Sequence, residues 1–570
     1  MGIANQASID AIQVDVAFEV GDTPACRAWR ERIFNRHRSL VGYWRKQHQK
    51  RVISEGFVKA NRWLGQQEAA LKIGRSGLFC DCEDHEIVDY AEAKSKKVEQ
   101  QIHEAAQLIG TASQFDKDRI SDFIRAEVEA AGLDYPLPEF GYTKDEMIGA
   151  FARVCDPALW RRQLRETAVK QYEHYVLQLG LVGLSGDIYC SEYTLRRWQD
   201  QKRRNRYLLE SLEAENSQGQ VFTLAELSDL SVSNPINRRN ELMTRISGFE
   251  EYAKNHPCES QSSEQGKFVC LFLTLTAPSK YHAKCARKAK SGRRYSISNP
   301  KYQGYNPRQT NDYLCGIWAC IRSEWARRGI SPYGFRMVEP HHDGTPHWHM
   351  VLFLPETRAI ECSYVFNHYA LREDRDEYGA DEYRSKIVFI DPEKGSAAGY
   401  CAKYVAKNID GYSLDTDLYG RDAVMSAMRI EAWASAWGIR QFQQIGGPSV
   451  TVWREARRIK EEQLIDITPE AKAIIEAADS GDWESYVDLM GGAVCPLEER
   501  PIRPKMLPRS ESNKYNEFTE TLVGLLAFGR VISTRQESWV IRPVAKSSAN
   551  DAANWPSSKA GFYAKQPQAA

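Results

Sequence analysis

Residues 334–355 read GFRMVEPHHDGTPHWHMVLFLP and predict two β-strands joined by a tight turn. Apolar residues fill both ends of the segment, and Asp343 and Gly344 supply the turn between them. Successive side chains of a strand point to opposite faces, so His347 and His349 share one face while Trp348 points into the core. Two histidines in a strand are often only structural, so their meaning depends on the segments around them.

The segments on either side predict an antiparallel sheet with helices between its strands. FVCLFLTLTAP, which begins at residue 268, and KIVFID (386–391) have the β-branched and aromatic composition of strands. NDYLCGIWACIRSEWARRG (311–329) and AAGYCAKYVAKNI (397–409) have apolar residues at helical spacing. This alternation predicts an α+β fold with a central antiparallel-sheet domain over residues 265–460.

The regions that flank this domain have different patterns. Residues 1–255 predict a mostly helical region with a possible role in binding DNA or a partner. Within it, the Arg-rich helices at 193–212 and 234–256 either contact DNA or expose their arginines to solvent. Residues 461–542 predict helical and mixed structure. Residues 543–570 are poor in large aliphatic side chains, which predicts a disordered tail.

The charge of the whole chain hides a local excess. The 570 residues contain 76 Lys and Arg against 76 Asp and Glu, so the formal net charge is zero. Residues 265–460, however, contain 29 basic and 20 acidic residues, a net charge of +9. A basic segment of this kind favours a nucleic-acid partner for the central domain, although the total argues against one.

Composition also narrows the class of protein. No apolar run is long enough for a membrane span and no secretory leader is evident, so we expect a cytosolic protein without a membrane partner. The spacing of Cys80, Cys82 and His85 favours ordinary cysteines over a zinc site, because no second ligand pair lies nearby. The sequence has no GxxxxGK[ST] phosphate loop, which excludes an ATP-driven motor of that type.

The hairpin carries the residue types of a metal site. Glu339 ends the first strand, and pairing across the turn would bring it near His347 and His349. Two imidazoles and one carboxylate suit Mg²⁺ or Mn²⁺ when the substrate is a phosphate, although Zn²⁺ accepts the same ligands. His341 and His342 are alternatives for the third ligand.

The helix at 397–409 carries two candidate nucleophiles. Tyr400 and Tyr404 are four residues apart, as are Lys403 and Lys407, so each pair lies on one side of the helix. A tyrosine phenol has an ordinary pKa of about 10 and is a poor nucleophile at neutral pH. A divalent ion and a neighbouring ammonium are suitable ways to ease its attack on a phosphate. Alone, the tyrosines would indicate a packed aromatic stripe, but together with the hairpin they favour catalysis.

Residues 280–308 form a third feature. The segment has nine Lys and Arg, no acidic residue and four interleaved tyrosines. Cations follow a phosphate backbone and aromatic rings stack on unpaired bases, which predicts a groove for single-stranded nucleic acid. A mobile basic loop is the alternative. The candidate contacts are Lys280, Lys284, Arg287, Lys288, Arg293, Arg294 and Tyr295.

The order of these motifs resembles that of a known group of enzymes. FLTLTAP, EPHHDGTPHWHMVLFLP and GYCAKYVAKN match the three motifs of the HUH endonucleases, in which a hydrophobic residue separates two metal-binding histidines. With two tyrosines in the last motif, the sequence resembles the replication gene A proteins of tailed temperate phages. The resemblance covers residues 150–460 and includes the Arg-rich segment at 234–253 and IGGPSVTVWREARR at 445–458.

The resemblance implies a rolling-circle replication initiator. One tyrosine, Tyr400 or Tyr404, would attack a phosphodiester at the origin, keep the 5′ phosphate and release a 3′ hydroxyl primer. The second tyrosine would attack the regenerated junction, and Lys403 would support both. Mg²⁺ or Mn²⁺ would bind His347, His349 and Glu339. The expected partners are single-stranded or supercoiled origin DNA and a helicase and polymerase of the bacterial host, in whose cytoplasm the protein would act.

Two other classes stay open. A conjugative relaxase or a transposase would use the same hairpin and tyrosines on a transfer origin or an element end. A non-catalytic DNA-binding protein would keep the histidines and tyrosines only as structure. Nicking that survives removal of these residues would indicate the second class.

Overall fold

The computed structural model describes residues 20–109, 114–258, 266–464 and 467–544. Helices and antiparallel sheets make up these ranges, which confirms the predicted α+β class. The predicted disordered tail lies outside the described residues, except for Pro543 and Val544. No helix in the described ranges is long and apolar enough to cross a membrane.

Helices cover most of the chain before the central domain and recur throughout it. Their bounds, in chain order, are α1 Pro24–Arg36, α2 Val41–Glu55, α3 Phe57–Ala70, α4 Asp84–Ile109, α5 Gln114–Ala130, α6 Lys144–Val154, α7 Pro157–Gln178, α8 Glu192–Glu210, α9 Leu224–Leu230, α10 Pro235–Asn255, α11 Pro307–Arg327, α12 Ala359–Ala370, α13 Ala380–Tyr383, α14 Ala397–Ile409, α15 Ala423–Trp437, α16 Val450–Ala456, α17 Pro469–Ser480 and α18 Trp483–Leu489.

Four sheets, all antiparallel, accompany these helices. Their strands are β1 Leu212–Asn216, β2 Val221–Thr223, β3 Phe268–Thr276, β4 Lys284–Lys288, β5 Arg294–Ser298, β6 Tyr333–Pro340, β7 Pro346–Pro355, β8 Ser385–Ile390, β9 Phe442–Ile445, β10 Ile502–Pro508, β11 Glu520–Ala527, β12 Arg530–Ser533 and β13 Trp539–Pro543. The central sheet has the order β8-β3-β7-β6-β9, and β4 and β5 form a two-stranded sheet of their own.

The predicted hairpin forms the middle of the central sheet. Strands β6 and β7 pair from Tyr333 opposite Phe353 to Pro340 opposite Pro346. Two hydrogen bonds close the turn. The amide of His341 donates to the carbonyl of Thr345 at 2.8 Å, and the amide of Gly344 donates to the carbonyl of His341 at 2.9 Å. Gly344 has a φ of 80°, a left-handed conformation that favours glycine.

The two faces of the sheet pack into different cores. On one face, Trp348 is fully buried with Leu273 against the helices of residues 157–178 and 307–327. On the other face, Phe272 and Met337 pack against α10, α14, α16, α18 and the β10–β12 sheet. The residues predicted to form an N-terminal region thus pack directly on the central sheet, whereas the division of the chain into domains stays a prediction.

One of the smaller sheets joins distant parts of the chain. Strand β1 pairs with β2 on one side and, over Leu212–Asn216, with β13 on the other. Strands β1 and β13 are not apparent in the sequence, because each is short and the two lie far apart along the chain. The region predicted as helical and mixed contains α17, α18 and the β10–β12 sheet.

Candidate active site

Strand register brings the predicted metal ligands together. Glu339 lies directly opposite His347 in the β6–β7 pair, and Thr274 of β3 lies opposite His349. One ligand atom each from Glu339, His347 and His349 lies within 4.8 Å of the other two. The Nε2 atoms of both histidines are 4.0 Å from Oε2 of Glu339. In the part of the chain that the structure describes, this is the only such group of three acidic, histidine or cysteine residues.

The surroundings keep both histidines neutral. Burial lowers the pKa of His349 to about 4, although the carboxylate of Glu339 opposes the shift. Burial also lowers the pKa of His347 well below its ordinary value. Nδ1 of His349 is 3.1 Å from the hydroxyl of Thr274, which directs Nε2 towards Glu339. Neutral imidazoles with Nε2 lone pairs beside a carboxylate are the form that binds a divalent cation.

Helix α14 supplies the remaining charge of the site. Glu339 is only 1% exposed, so its carboxylate needs partners. The ammonium of Lys407 lies 2.7 Å from Oε2 of Glu339, and the side-chain amide of Asn408 donates to Oε1 at 2.7 Å. The same amide group donates to the carbonyl of Tyr404 at 2.7 Å. These contacts fix the last turns of α14 against the metal-type cluster.

The two tyrosines of α14 differ in exposure. Tyr404 is half-buried, and its ring centroid lies 4.4 Å from that of His349. Burial raises the pKa of Tyr404 to about 12. Tyr400 is 47% exposed, and both tyrosines pack on the ring of Phe272, with centroid distances of 5.7 and 5.5 Å. Both phenols therefore lie on the side of the sheet that carries Glu339, His347 and His349.

A second helix holds α14 at its two ends. Near the start of α14, the carboxylate of Glu250 in α10 accepts from the amide of Ala398 at 2.9 Å. Near its end, Arg239 of α10 forms an ion pair with Asp410, the residue that caps α14. A carboxylate at the first turn of a helix satisfies a free amide and stabilises the helix dipole. Helix α10 therefore positions the tyrosines, a role the sequence did not indicate.

Comparison with known proteins identifies the family of the chain. A family model described as "Bacteriophage replication gene A protein (GPA)" matches residues 85–412, more than half of the chain. The chain belongs to the bacteriophage replication gene A family. The matched region includes the whole β6–β7 hairpin and all of α14.

Individual relatives of the gene A family match most of this chain. The replication gene A protein of Escherichia phage 186 is 41% identical over 417 residues, which cover 70% of this chain and 57% of the phage 186 protein. The replication gene A protein of Escherichia phage P2 is 35% identical over 414 residues, covering 70% of this chain and 53% of the relative. A probable replication endonuclease from a prophage-like region of Salmonella typhimurium is 30% identical over 409 residues, which cover 68% of this chain and 48% of the relative.

This member of the gene A family spans about half the length of the curated relatives that it matches. No solved structure matches it.

In this gene A family chain, the two lysines of α14 differ in position. Lys403, named as the supporting lysine, is exposed on α14, whereas Lys407 contacts Glu339. The sequence places Lys407 four residues after Lys403 on the same side of the helix, but it does not indicate that Lys407 packs against the sheet. The catalytic role predicted for Lys403 stays a prediction.

The three candidates for the third metal ligand also lie in different positions. The ring of His341 stacks on that of His347 with a centroid distance of 4.0 Å, and its Nε2 atom is buried without a hydrogen-bond partner among the described residues. His342 is buried within the turn, where its carbonyl accepts from the amide of Tyr189. Glu339 alone of the three belongs to the cluster with His347 and His349. Its binding of a metal stays a prediction.

The predicted DNA contacts of this gene A family protein fall into two groups. Lys280 is ion-paired with Glu373 and with Asp374, and Lys284 is part-buried beside Ser298. The other five residues are exposed on β4, on β5 or in the turn between them. They are Arg287, Lys288, Arg293, Arg294 and Tyr295.

Proposed function

We propose that the chain is a site-specific DNA nicking and joining endonuclease of the HUH type that initiates rolling-circle replication of phage DNA. One observation carries the proposal: the ring of Tyr404 packs on His349, inside a cluster in which both His347 and His349 face Glu339. Nucleophile-type and metal-type residues thus meet on one face of the sheet. Relatives named replication gene A protein and probable replication endonuclease support the same function.

The reaction is a transesterification at phosphorus. The phenol oxygen of Tyr400 or Tyr404 attacks a phosphodiester of the origin and loses its proton. The bond from phosphorus to O3′ breaks, and O3′ takes up a proton to become the 3′ hydroxyl that primes synthesis. The 5′ phosphate stays on the tyrosine as a phosphodiester, which conserves the energy of the broken bond and needs no ATP.

A divalent cation fits the residues that surround the tyrosines. His347 and His349 are neutral and Glu339 is a buried carboxylate with an oxygen towards both. These three would hold Mg²⁺ or Mn²⁺, which supplies Lewis-acid polarisation of the scissile phosphate. Lys407 adds a positive charge 2.7 Å from Glu339, where it orients the carboxylate.

The second tyrosine explains how one protein can both open and close the circle. Tyr400 and Tyr404 are one helical turn apart and share contact with Phe272. After a round of copying, the free tyrosine attacks the regenerated junction, and the released 3′ hydroxyl displaces the first phosphotyrosine. A host polymerase would extend the primer, and a host helicase or supercoiling would separate the strands.

The test is formation of a covalent protein–DNA adduct. The full chain is incubated with Mg²⁺ or Mn²⁺ and with overlapping single-stranded oligonucleotides that tile the replicon encoding it. We expect one oligonucleotide to give an adduct that survives denaturation. The variant Tyr400→Phe/Tyr404→Phe should give none, and EDTA should stop cleavage while DNA binding persists.

A variant with two other tyrosines replaced controls for nonspecific effects of the Tyr→Phe substitutions. Tyr364 and Tyr412 are exposed outside α14, and the variant Tyr364→Phe/Tyr412→Phe should form the adduct normally. An adduct that persists in the Tyr400→Phe/Tyr404→Phe variant would overturn the nucleophile assignment. Nicking that survives the loss of His347, His349 and both tyrosines would show that these residues are structural and do not catalyse it.

A further inference from the structure

Strands β4 and β5 form a projecting arm, here called the basic arm and defined as residues 284–298. The two strands pair from Lys284 opposite Ser298 to Lys288 opposite Arg294 and, among the described residues, pair with no other strand. Near the tip, residues 286–288 and 290–295 are all exposed. A two-stranded ribbon with no core of its own is marginally stable in water. The arm therefore depends on contacts at its root to keep its structure.

The root of the basic arm is attached to the candidate active site. The amide of Lys284 donates to Asp343 in the β6–β7 turn at 3.1 Å. The side-chain amide of Asn299 donates to the carbonyls of Ser279 and His282, both at 2.8 Å. A strand rises roughly 3.3 Å per residue, so the tip lies on the order of 15 Å from the root, a span of about four base pairs of DNA.

Near the tip of the arm, no salt bridge to the described residues neutralises the cations. Each of five basic residues near the tip is without a salt bridge to any residue of the described ranges; they are Arg287, Lys288, Lys290, Arg293 and Arg294. At the root, by contrast, Lys280 is paired with Glu373 and Lys301 with Glu377. Five cations held together without a counter-charge repel one another, so a polyanion is the ligand that this surface fits.

Most tyrosines of the segment pack against one another and do not form a row of exposed rings for unpaired bases. Tyr281 is 8% exposed, and its ring stacks on those of Tyr305 and Tyr313 with centroid distances of 4.4 and 4.8 Å. The hydroxyl of Tyr302 donates to the carbonyl of Tyr305 at 2.7 Å. Tyr295 alone of the four tyrosines in 280–308 is on the arm and exposed. The segment thus offers one exposed ring, Tyr295, rather than the row of rings on which successive unpaired bases stack.

We infer that the basic arm binds double-stranded DNA beside the cleavage site. The inference rests on the proposed endonuclease function, and it changes the ligand of this segment from a single strand to a duplex. The major groove of B-DNA is about 12 Å wide and admits a two-stranded β-ribbon. Arg287 and Tyr295 are cross-strand neighbours on one face of the arm, and Lys288 and Arg294 are neighbours on the other, so both walls of a groove meet cations.

The test compares one DNA sequence in two forms. A 30-mer is offered to the full chain as a single strand or as a duplex, without divalent ions, and binding is followed by fluorescence anisotropy at several salt concentrations. The arm variant is Arg287→Ala/Lys288→Ala/Arg293→Ala/Arg294→Ala. Its affinity for the duplex should fall by about tenfold or more, and the salt slope by about 0.9 for each lost phosphate contact. Its affinity for the single strand should change by less than about threefold.

A matched variant controls for the loss of four charges. Arg45→Ala/Lys170→Ala/Arg327→Ala/Lys472→Ala removes four surface cations that are ion-paired elsewhere, and it should leave both affinities unchanged. Equal weakening on both DNA forms by the arm variant would overturn the inference in favour of a single-stranded site. No weakening on either would show a solvated arm.

The outcome does not depend on cleavage, because the probes need not be cut. If the arm variant still forms the covalent adduct on a cleaved single strand, the proposed function stands whatever the arm binds. If the wild-type chain forms no adduct but the arm selects duplex DNA, only the proposed function fails.

Discussion

Glu339 connects the sheet to the tyrosine helix. It is buried, and its carboxylate contacts Lys407 and Asn408 of α14 while facing His347 and His349. The sequence could predict Glu339 because a hairpin forces cross-strand neighbours together. It could not single out Asn408 or Lys407, because the rotation at which α14 docks on the sheet depends on side chains from several other elements.

Lys407 and Lys403 provide a direct comparison between a buried and an exposed lysine of one helix. We expect Lys407→Met to slow adduct formation by about 10- to 100-fold, the usual cost of removing a partner of a ligating carboxylate. Lys403→Met should slow it by less than about threefold, since an exposed side chain contributes little. Adduct formation under single-turnover conditions measures both. The opposite ranking would support the role predicted for Lys403 from the motif.

Neighbouring residues of β7 should affect different properties. Trp348 is fully buried and its indole donates to Asn311 at 3.2 Å, so Trp348→Ala should lower the free energy of unfolding by about 3–5 kcal/mol. His349→Ala should abolish adduct formation with a smaller effect on unfolding. Urea denaturation followed by tryptophan fluorescence measures stability. Equal destabilisation by the two changes would contradict the assignment of opposite faces.

At the scale of elements, α10 and α14 form an antiparallel pair that holds the tyrosines over the sheet. Glu250→Gln removes the negative charge from the first turn of α14, whereas Glu251 is exposed and serves as the matched control. We expect Glu250→Gln to cost about 0.5–2 kcal/mol of stability. It should slow adduct formation several-fold while DNA affinity is unchanged. The idea fails if Glu251→Gln has the same effects.

Elements with strong local signals were predictable, and those with remote partners were not. The pattern of residues 397–409 predicts the helix with the bounds observed, and the strand ends of the β6–β7 hairpin agree within one residue. The basic segment 280–308 was not recognised as containing two strands, because its charges hide the alternation of residues. Strand β1 depends on β13, whose sequence lies more than 300 residues away, so no local pattern could indicate their pairing.

At the scale of the whole molecule, the zero net charge is the sum of unlike regions. The sequence predicts a basic excess in residues 265–460. Within it, Lys280 and Lys301 at the root of the arm are ion-paired, whereas the cations near its tip have no salt bridge to any described residue. Which tyrosines are available to DNA could not be predicted, because stacking of Tyr281 on Tyr305 and Tyr313 depends on helix α11.

A loop near the end of the described chain is fastened to α6 and α7. Arg153 donates to Glu517 at 2.7 Å, and the hydroxyl of Tyr515 donates to Asp156 at 2.8 Å. The hydrogen bond from Arg153 lowers the pKa of Glu517 from 4.5 to about 2. Because the folded pKa is depressed, the stabilisation is present above pH 4.5 and is lost as the pH falls through about 2.

The thermal midpoint of Glu517→Gln should therefore lie below that of the wild type at neutral pH and approach it as the pH falls towards 2. Glu511 is an exposed neighbour, and Glu511→Gln should track the wild type throughout. A gap between Glu517→Gln and the wild type that does not narrow in acid would show that the ion pair is not its cause.

The central claim is that a tyrosine of α14 becomes covalently joined to DNA. The direct measurement is peptide mapping by mass spectrometry of the adduct after nuclease digestion. We predict a nucleotide attached through its 5′ phosphate to Tyr400 or Tyr404, with a free 3′ hydroxyl on the other DNA fragment. Attachment at a residue outside α14, or cleavage that leaves no nucleotide on the protein, would contradict the account.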